Sequence, residues 1–369
     1  MNVLVTGAAG FIGKNLTLRL RELGFGVNAF DRSTPEADLV SLLQQSDAVV
    51  HLAGVNRTND AQDFTVHNVD LTAVLCGALE ALDHPIPLVH SSSIQAVNDT
   101  DYGRSKRQAE QRVELYGANT GAPALVSRLP NVFGKWCRPH YNSVVATFCH
   151  DVARDLPIEI HDPGAKVRLI HVDDVISHWI TWLQNPRSEI AVATPGPEYE
   201  ISVEELAAKI RSYRAVASTS VLPEVGSGLD RALYATYVSY LEPNSFSNSL
   251  QQHSDHRGAF VEFLKTEKCG QFSYFTAHPG ITRGGHYHHT KTEKMLVVKG
   301  RAEFRFRHMI TNETLAIETS EDRPVVVETV PGWTHDVTNI GDSELIAIVW
   351  ANEAFDPDRP DTTASKVQM

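Results

Sequence analysis

The sequence predicts a two-part protein: an α/β region with a doubly wound parallel sheet, followed by an all-β barrel. Two observations carry this prediction. The first part alternates short apolar runs with amphipathic stretches, whereas the last third consists of short alternating segments separated by Gly and Pro. The length of 369 residues also suits two domains, because one domain usually has roughly 100–200 residues.

In the first part, five short runs are almost continuously apolar, which is typical of parallel strands covered by helices on both faces. These predicted strands are residues 2–6, 27–30, 48–53, 88–92 and 124–127. Helical patterns cover residues 11–23 and 102–116. Ser202 and Glu205 have the spacing of a capping box and predict the start of another helix.

The pattern of residue types along the sequence changes near residue 243. Residues 242–249 are polar and turn-forming and predict a linker. Short segments punctuated by Gly and Pro follow, which is typical of an all-β sandwich or barrel. These predicted strands are residues 271–277, 295–299, 303–307, 325–330 and 345–350. We therefore expect domains at residues 1–243 and 250–369.

Composition and charge exclude several classes of protein. The chain is 42% apolar and 21% charged, as in ordinary globular domains, and its net charge of -12 argues against nucleic acid or an anionic membrane as partner. No apolar run approaches the roughly 20 residues that span a bilayer, and the N-terminus reads as a strand rather than a signal peptide. We expect a cytoplasmic protein with unpaired thiols at Cys76, Cys137, Cys149 and Cys269.

A glycine-rich turn connects the first predicted strand to the first helix. Gly7 allows a tight turn, Gly10 lets the backbone approach a pyrophosphate, and Gly13 lets the helix pack on the strand. Phe11 and Ile12 open the helix, whose positive end attracts phosphate. The turn therefore predicts a dinucleotide site of the Rossmann type, with a purely structural turn as the alternative.

The second predicted strand ends beside an acid and a base. Asp31 is placed to bind a ribose 2′-hydroxyl, whereas Arg32 is placed to bind a 2′-phosphate. Alternatively, Asp31 caps the following loop and Arg32 is solvated. These two residues leave NAD and NADP equally open.

Tyr102 and Lys106 lie four residues apart on one face of a predicted helix. The lysine charge favours phenolate, so we expect it to lower the pKa of Tyr102. The tyrosine can then donate a proton to the alkoxide that forms when hydride reaches a ketone. Ser92 and Ser93 end the fourth predicted strand, where either can bind the carbonyl. The alternative is an exposed pair without a role.

These residues resemble the extended, sugar-nucleotide-modifying branch of the short-chain dehydrogenase/reductase superfamily. The resemblance implies that Tyr102 is the acid and that Lys106 binds ribose and supports it. It favours Ser93 over Ser92 for orienting the carbonyl, although only eight residues separate Ser93 from Tyr102, fewer than is usual in the family. The matching segments are residues 6–13, 51–54, 91–93, 102–106, 128–134 and 168–174.

The same resemblance implies further ligand contacts. Leu52, Ala53 and Gly54 are expected to contact the cofactor. Arg168 is expected to bind the nucleotide diphosphate and Asn131 the sugar. A structural surface role is the alternative for both.

A histidine- and acid-bearing motif near the C-terminus predicts a metal site. His286 and His288, two apart on a strand, project to the same face, and Glu293 and His335 complete an N3O set. Imidazole with carboxylate suits zinc, iron, nickel, copper or manganese, and zinc is our expectation. His289 is expected to face the other way. A histidine-rich loop that has lost its metal is the alternative.

The spacing of these ligands resembles the two signature motifs of the cupin family, over about residues 270–350. Carried over, the ligands are the same four residues. Pro331 directly precedes Gly332, where the family usually has one residue between them, and this shifts a turn rather than a ligand. Cupins include isomerases, epimerases, dioxygenases and binding modules, so the fold does not name a reaction.

Taken together, the two halves resemble the bifunctional capsular-polysaccharide synthesis enzymes of the CapF type. Further matches are residues 134–139, 141–148, 305–308 and 355–357. The resemblance implies that the cupin half inverts C3 of a UDP-linked 4-keto-6-deoxy-N-acetylhexosamine. The reductase half then uses NADPH to give UDP-2-acetamido-2,6-dideoxy-L-talose, on the route to UDP-N-acetyl-L-fucosamine. It also implies NADP(H) rather than NAD, and a homodimer.

Two other functions fit the same motifs. In the first, the protein is an NAD(P)H sugar-nucleotide reductase whose cupin is a non-catalytic, metal-stabilised binding or dimerisation module. In the second, the cupin is an oxygenase.

Overall fold

The computed structural model describes residues 1–187, 190–219, 221–249, 252–255, 258–261, 270–353 and 358–368. The chain forms two compact units that alternate along the sequence. The first comprises Met1–Phe133, Tyr141–Ser143 and Lys166–Ile201; the second comprises Gly134–His140, Val144–Ala165 and Ser202–Met369. The motif at residues 355–357 and the thiol of Cys269 lie outside the described residues. The domain boundaries at 243 and 250 stay a prediction.

The described residues include α-helices in both units. They are α1 (Phe11–Glu22), α2 (Leu39–Gln44), α3 (Ala61–Phe64), α4 (Leu71–Glu80), α5 (Asp101–Thr120), α6 (Val144–Ala153), α7 (Val172–Gln184), α8 (Val203–Thr219) and α9 (Gly228–Val238). None of these helices is both long and apolar enough to cross a bilayer. Ser202 and Glu205 form the predicted capping box at the start of α8, with hydrogen bonds of 3.1 and 3.2 Å in the two directions.

The strands fall into two groups along the chain, those up to residue 202 and those from residue 247 onward. The former are β1 (Asn2–Thr6), β2 (Gly26–Phe30), β3 (Ala48–His51), β4 (Leu88–Ser93), β5 (Ala124–Leu129), β6 (Asn131–Phe133), β7 (Lys166–His171), β8 (Ile190–Ala193) and β9 (Tyr199–Ser202). The latter are β10 (Ser247–Ser249), β11 (Gln252–Asp255), β12 (Gly258–Val261), β13 (Gln271–Ala277), β14 (Thr282–Tyr287), β15 (Glu293–Lys299), β16 (Arg301–His308), β17 (Thr314–Ser320), β18 (Val325–Thr329), β19 (Trp333–Asn339), β20 (Leu345–Ala351) and β21 (Thr363–Ala364).

The first unit is built on a six-stranded sheet in the order β2-β1-β3-β4-β5-β8. Every pairing in it is parallel. One face is covered by α1 and α7, through residues such as Leu16 and Trp179, and the other by α2, α4 and α5, through residues such as Leu75 and Val113. The predicted Rossmann-type, doubly wound α/β fold is confirmed.

The strand order reverses between β1 and β3, and ligands of open α/β sheets bind at such a point, beyond the carboxyl ends of the strands. The glycine turn follows β1, and the serine run ends β4, so both lie at this edge. A separate three-stranded sheet, β6-β7-β9, carries Asn131 and Arg168.

The second unit contains two five-stranded sheets, in the orders β10-β18-β15-β20-β13 and β17-β16-β19-β14-β21. Their strands pair antiparallel. In β16 the side chains alternate between buried and less buried, with Ala302, Phe304 and Phe306 inside. This is the pattern of a strand with one face on a core. The predicted all-β region is confirmed.

The predicted linker at residues 242–249 is a packed part of the second unit, so that expectation is wrong. Pro243–Ser245 forms a 3₁₀ turn, and β10 pairs with β18. Phe246 is fully buried, with its ring edge-on to Phe306 and Trp333. One aromatic side chain in a polar stretch therefore decided its packing, since burying such a ring contributes about 1.5–3 kcal/mol.

Candidate functional site

The glycine turn after β1 has a backbone that only glycine accommodates. Gly7 has a φ of +67°, and a Cβ there would lie 2.9 Å from the backbone nitrogen of Ala53. A Cβ on Gly13 would lie 2.3 Å from the carbonyl oxygen of Gly7. The three segments pack backbone against backbone, which keeps the turn tight.

The start of α1 offers an anion site. Gly10 is the N-cap and makes no side-chain capping bond, and the first turn of the helix carries no acid. Phe11 and Ile12 begin the helix and pack partly against the core. The backbone N–H groups and the positive end of the helix are thus open to phosphate, and the turn fits a dinucleotide pyrophosphate.

Residues 52–54 are held against the same turn. The Thr6 hydroxyl accepts the N–H groups of Leu52 and Ala53, at 3.1 and 3.2 Å. A Cβ on Gly54 would lie 2.7 Å from the Asn68 side-chain oxygen, so glycine is needed there as well. The three predicted cofactor contacts therefore lie beside the glycine turn.

Asp31 lies just after β2 and caps its own loop. One carboxylate oxygen accepts the Ser33 N–H at 2.9 Å and the Ser33 hydroxyl at 2.6 Å, and these bonds lower the pKa of Asp31. Arg32 is exposed. The loop-capping alternative for Asp31 is present in the structure, and the choice between NAD and NADP stays open.

Tyr102 lies in the first turn of α5, which Thr100 caps by accepting the Gly103 N–H at 3.0 Å. The Ser93 side chain lies near the Tyr102 hydroxyl. Burial raises the pKa of Tyr102, and the opposing effect of Ser93 offsets only part of this rise. The phenol therefore keeps its proton at neutral pH, as a proton donor must.

Lys106 does not lower the pKa of Tyr102, so that expectation is wrong. The Lys106 ammonium donates instead to the backbone oxygen of Ser91 at 2.8 Å. Burial lowers the pKa of Lys106 to about 8, against an opposing effect of Glu110. Spacing on the helix brought the two residues onto one face, but tertiary packing decided where the ammonium points.

The two serines have different partners. Ser93 contacts Tyr102, and its hydroxyl also accepts the Gln95 N–H at 3.1 Å. Ser92 donates to the buried Glu110 carboxylate, which pairs with Arg128 at 2.6 and 2.9 Å. The structure thus brings Ser93, but not Ser92, to the tyrosine.

Glu110 was not singled out from the sequence. It lies eight residues beyond Tyr102 on α5, and its role as the partner of Ser92 and Arg128 depends on how α5 packs against β4 and β5. The short connection between Ser93 and Tyr102 is filled by a 3₁₀ turn, Ile94–Val97, before α5 begins.

Asn131 and Arg168 are neighbours on the three-stranded sheet. The Asn131 amide donates to the Arg168 backbone oxygen at 3.0 Å. The Arg168 side chain, half exposed, pairs with Glu198 at 2.5 and 3.0 Å. The ion pair with Glu198 partly neutralises the positive charge of Arg168. The sequence predicted that Arg168 binds a diphosphate but did not predict this ion pair.

In the second unit, the four predicted metal ligands converge. Their ligand atoms all lie within 4.8 Å of one another. His286 on β14 lies directly opposite His335 on β19. The His288 Nε2 lies 3.4 Å from a Glu293 oxygen, and the His335 Nε2 lies 3.8 Å from the same oxygen.

The electrostatics of this cluster suit a cation. Burial lowers the pKa of His335, and it lowers that of His286 to about 4, so both imidazoles are neutral ligands. Burial alone would raise the pKa of Glu293, but the neighbouring His288, His335 and Lys291 hold it well below its usual value. The buried Nε2 of His335 has no hydrogen-bond partner. An N3O set with such an atom fits a divalent metal.

A C-terminal segment supports the cluster from outside. The backbone oxygen of Asp361 lies 2.5 Å from the His288 Nδ1, which orients that ring. The Asp361 carboxylate accepts the N–H groups of His289, Thr290 and Lys291, at 2.7 to 2.9 Å. His289 therefore belongs to the support of the site through its backbone.

Asp361 was not identified from the sequence as part of the site, nor was the contact of Lys291 with Glu293. Asp361 lies 73 residues beyond His288, and no local pattern marks it. The Lys291 ammonium lies 2.8 Å from the second oxygen of Glu293. The only available signal was its position in the sequence. Lys291 lies two residues before the predicted ligand Glu293, in the segment that leads into β15.

Comparisons with known families match both parts of the chain. Residues 3–193 match the NAD dependent epimerase/dehydratase family, and residues 253–363 match the polysaccharide biosynthesis C-terminal domain. The first match covers the glycine turn, Tyr102 and Ser93, and the second covers the four clustered ligands.

Similar proteins extend over the whole chain. UDP-2-acetamido-2,6-beta-L-arabino-hexul-4-ose reductase of Pseudomonas aeruginosa is 48% identical over 368 residues, which are 100% of this chain and 99% of the relative. The structure of the capsular polysaccharide assembling protein CapF from Staphylococcus aureus is 38% identical, covers 100% of both chains and has a TM-score of 0.68.

A more distant structure shares the fold of the first part. WbmF of Bordetella bronchiseptica, solved in complex with NADH, is 24% identical and has a TM-score of 0.51. The match covers 58% of this chain and 77% of WbmF.

Proposed function

This chain belongs to the CapF-type enzymes within the NAD dependent epimerase/dehydratase family, and we propose on that premise that it performs two successive reactions on one sugar nucleotide. The substrate is a UDP-linked 4-keto-6-deoxy-N-acetylhexosamine. The cupin domain, residues 250–369, inverts C3. The reductase domain, residues 1–243, then reduces the C4 ketone to give UDP-2-acetamido-2,6-dideoxy-L-talose.

One observation carries the reductase assignment: Ser93, at the carboxyl end of β4, lies near the Tyr102 hydroxyl and acts on its pKa. The glycine turn would hold the pyrophosphate of a nicotinamide dinucleotide, and this cofactor would supply the hydride that reduces C4. Ser93 hydrogen-bonds the C4 oxygen and orients the carbonyl, and Tyr102 donates its proton to that oxygen as negative charge develops. The raised pKa of Tyr102 supports this role, because the phenol is protonated when the substrate arrives.

Lys106 acts on the same step through its charge. Its pKa of about 8 keeps the ammonium mostly protonated at neutral pH. When cofactor binding brings this ammonium nearer to Tyr102, its positive charge stabilises the phenolate that remains after proton donation. In the free protein this ammonium is anchored on Ser91, so its contact with cofactor ribose, which the family resemblance implies, forms on binding.

The epimerase assignment rests on the histidine cluster. The C3 proton of the substrate is acidified by the adjacent C4 ketone, and its removal and return from the other face inverts C3. A divalent ion, for which we propose zinc, supplies a Lewis acid for the C4 oxygen at this site. His286, His288, Glu293 and His335 would hold the ion through three imidazoles and one carboxylate, and burial keeps the imidazoles of His286 and His335 neutral.

The order of the two reactions explains why they share one chain. Removal of the epimerised ketone by reduction pulls an unfavourable epimerisation forward by mass action. The full-length Tyr102→Phe variant is therefore expected to leave the 3-epimer as a minor species at equilibrium.

For the reductase step we propose NADPH as the cofactor, and for the protein a homodimer. Support for NADPH comes from the exposed Arg32 at the end of β2 and from the resemblance to the CapF type. The loop-capping role of Asp31 is consistent with this choice, because its carboxylate is already engaged by Ser33.

Incubation of the full chain with the 4-keto substrate in D₂O, without cofactor, tests the epimerase directly. We expect deuterium at C3 by mass spectrometry and NMR, retained in Tyr102→Phe and abolished in the double variant His286→Ala/His288→Ala. Wild-type protein that leaves C3 unlabelled, yet oxidises NADPH with a supplied 3-epimer, would instead make the cupin a non-catalytic module. Oxygen consumption with the sugar nucleotide would point to an oxygenase.

A further inference from the structure

A second group of histidine and carboxylate side chains lies in the second unit, apart from the four ligands described above. His140 comes from the segment Gly134–His140, and His150 and Asp151 come from α6. The His140 Nε2 and the His150 Nδ1 each lie 2.9 Å from the same oxygen of Asp151. One ligand atom from each residue lies within 4.8 Å of the other two.

The dimensions of this group suit a tetrahedral ion after a small adjustment. Bonds of about 2.1 Å from zinc to nitrogen and oxygen place neighbouring ligand atoms roughly 3.4 Å apart. The two imidazoles therefore have to retreat from Asp151 by only about 0.5 Å. The His140 side chain is 56% exposed and can move, whereas that of Asp151 is 8% exposed and gives the group a fixed base.

The backbone at His140 is held in an unusual conformation. Its φ is +53°, in the left-handed region, which costs a non-glycine residue roughly 1–2 kcal/mol. The Thr147 hydroxyl on α6 accepts the His140 N–H at 3.0 Å. The ring of His140 meets that of His150 edge-on at 5.1 Å. The segment is thus fastened to α6 in the conformation that directs His140 at Asp151.

We propose that His140, His150 and Asp151 form a second divalent-metal site. Two imidazoles and one carboxylate are a ligand set for zinc or a related transition ion. The exposed side of His140 leaves the fourth position to water. An ion bound there would receive one bond from each of the three side chains. These bonds would replace the two hydrogen bonds that His140 and His150 make with Asp151.

The position of the group indicates a structural role. The segment that carries His140 also carries Trp136, whose indole N–H donates to the His308 Nε2 at 3.2 Å. A Cβ on Gly332 would lie 2.9 Å from the Trp136 ring, so the ring packs against the turn that precedes β19. An ion between His140 and α6 fixes the segment that makes these contacts.

Metal stoichiometry in full-length, tag-free protein tests this site. The background is His286→Ala/His288→Ala, which removes the cupin cluster, and the chain is stripped with a chelator and titrated with Zn²⁺ or Co²⁺. We expect one ion per chain in this background, and none when His150→Ala or His140→Ala is added. The exposed His84→Ala is the matched control and is expected to keep one ion.

Thermal unfolding gives a second readout that does not depend on activity. Saturating zinc is expected to raise the unfolding midpoint of the background variant, because an ion that binds only the folded state stabilises it. The same zinc is expected to leave the midpoint of the His140→Ala variant unchanged, and this exposed substitution carries little risk to folding. A background variant that binds no ion, or one whose ion survives both histidine substitutions, overturns the proposal. Either result leaves the epimerase assignment untouched.

Discussion

The reductase site and the histidine cluster use the same physical effect, burial, for opposite chemistry. In the first unit, burial raises the pKa of Tyr102 and keeps a proton on the residue to which we assign proton donation. In the second, burial lowers the pKa of His286 and His335 and favours the unprotonated form of residues to which we assign cation binding. Desolvation favours the neutral form in both cases, and the type of side chain decides whether that form is an acid or a ligand.

The two sites also differ in how they are assembled. Ser93 and Tyr102 are close in sequence, on a strand and the helix that follows it. The cluster takes one residue each from β14, β15 and β19, a fourth from the residue that follows β14, and its support from Asp361. We therefore expect substitutions at the reductase site to act locally on one step, and those around the cluster to act at a distance, through metal affinity.

The largest expected effect is on ketone reduction. Tyr102→Phe is expected to lower kcat for NADPH oxidation by roughly 10²–10⁴-fold, because it removes the proton donor. NADPH absorbance with the 4-keto sugar nucleotide measures this loss. Exchange at C3 in D₂O is the control and is expected to persist. A Tyr102→Phe variant that loses both ketone reduction and C3 exchange would show that the two sites cannot be separated.

The two serines form a matched pair. Ser93→Ala is expected to lower kcat by roughly 10²-fold, the typical loss when one donor to a developing oxyanion is removed. Ser92→Ala is expected to change kcat only a few-fold and to lower the free energy of unfolding by about 1–3 kcal/mol, because it breaks a buried bond to the Glu110 carboxylate. The reverse result, with Ser92→Ala the slower enzyme, would contradict the assignment.

Metal affinity is expected to fall when Asp361 is replaced. Asp361→Ala removes the acceptor of three backbone N–H groups beside His288 and is expected to weaken metal binding by roughly 10–100-fold. Competition with a chromogenic chelator measures the change. Asp342→Asn, at an exposed acid, is the control and should bind metal like the wild type.

A smaller effect is expected at the cofactor. Arg32→Ala is expected to raise KM for NADPH roughly tenfold, since it removes a charged partner of the 2′-phosphate. KM for NADH should change little. An equal effect on both cofactors would remove Arg32 from the choice between them.

The smallest effect concerns pH. The unfolded chain protonates His286 below about pH 6.5, whereas the folded, metal-free protein does so only near pH 4. Between these values the unfolded state binds more protons, so the contribution of His286 to the free energy of unfolding falls as pH falls. Chemical denaturation at several pH values is expected to show a shallower decline for His286→Asn than for metal-free wild type. Parallel curves would contradict the pKa shift.

Much of the fold could be predicted because its signals are local. Apolar runs marked β1 and β4, glycines marked the turn after β1, and alternation marked β16. Residues 242–249 were wrongly predicted to form a linker. The burial of one aromatic side chain, Phe246, decided the packing of this segment in spite of the polar residues around it. The direction of the Lys106 ammonium could not be predicted either, since its acceptor is a backbone oxygen on another element.

The metal ligands were predictable as a set because their spacing follows from strand geometry. The contacts that support these ligands could not be predicted from the sequence. Asp361 contacts His288 just before the chain forms β21, which pairs with β14. Such contacts between distant segments leave no periodicity in the sequence.

The central claim, that one chain epimerises C3 and then reduces C4, is tested most directly by the complete reaction with NADPH in D₂O. The account predicts a product with inverted C3 that carries deuterium from solvent at C3 and protium from the cofactor at C4. A reduced product with protium at C3 and the configuration of the starting sugar would contradict it.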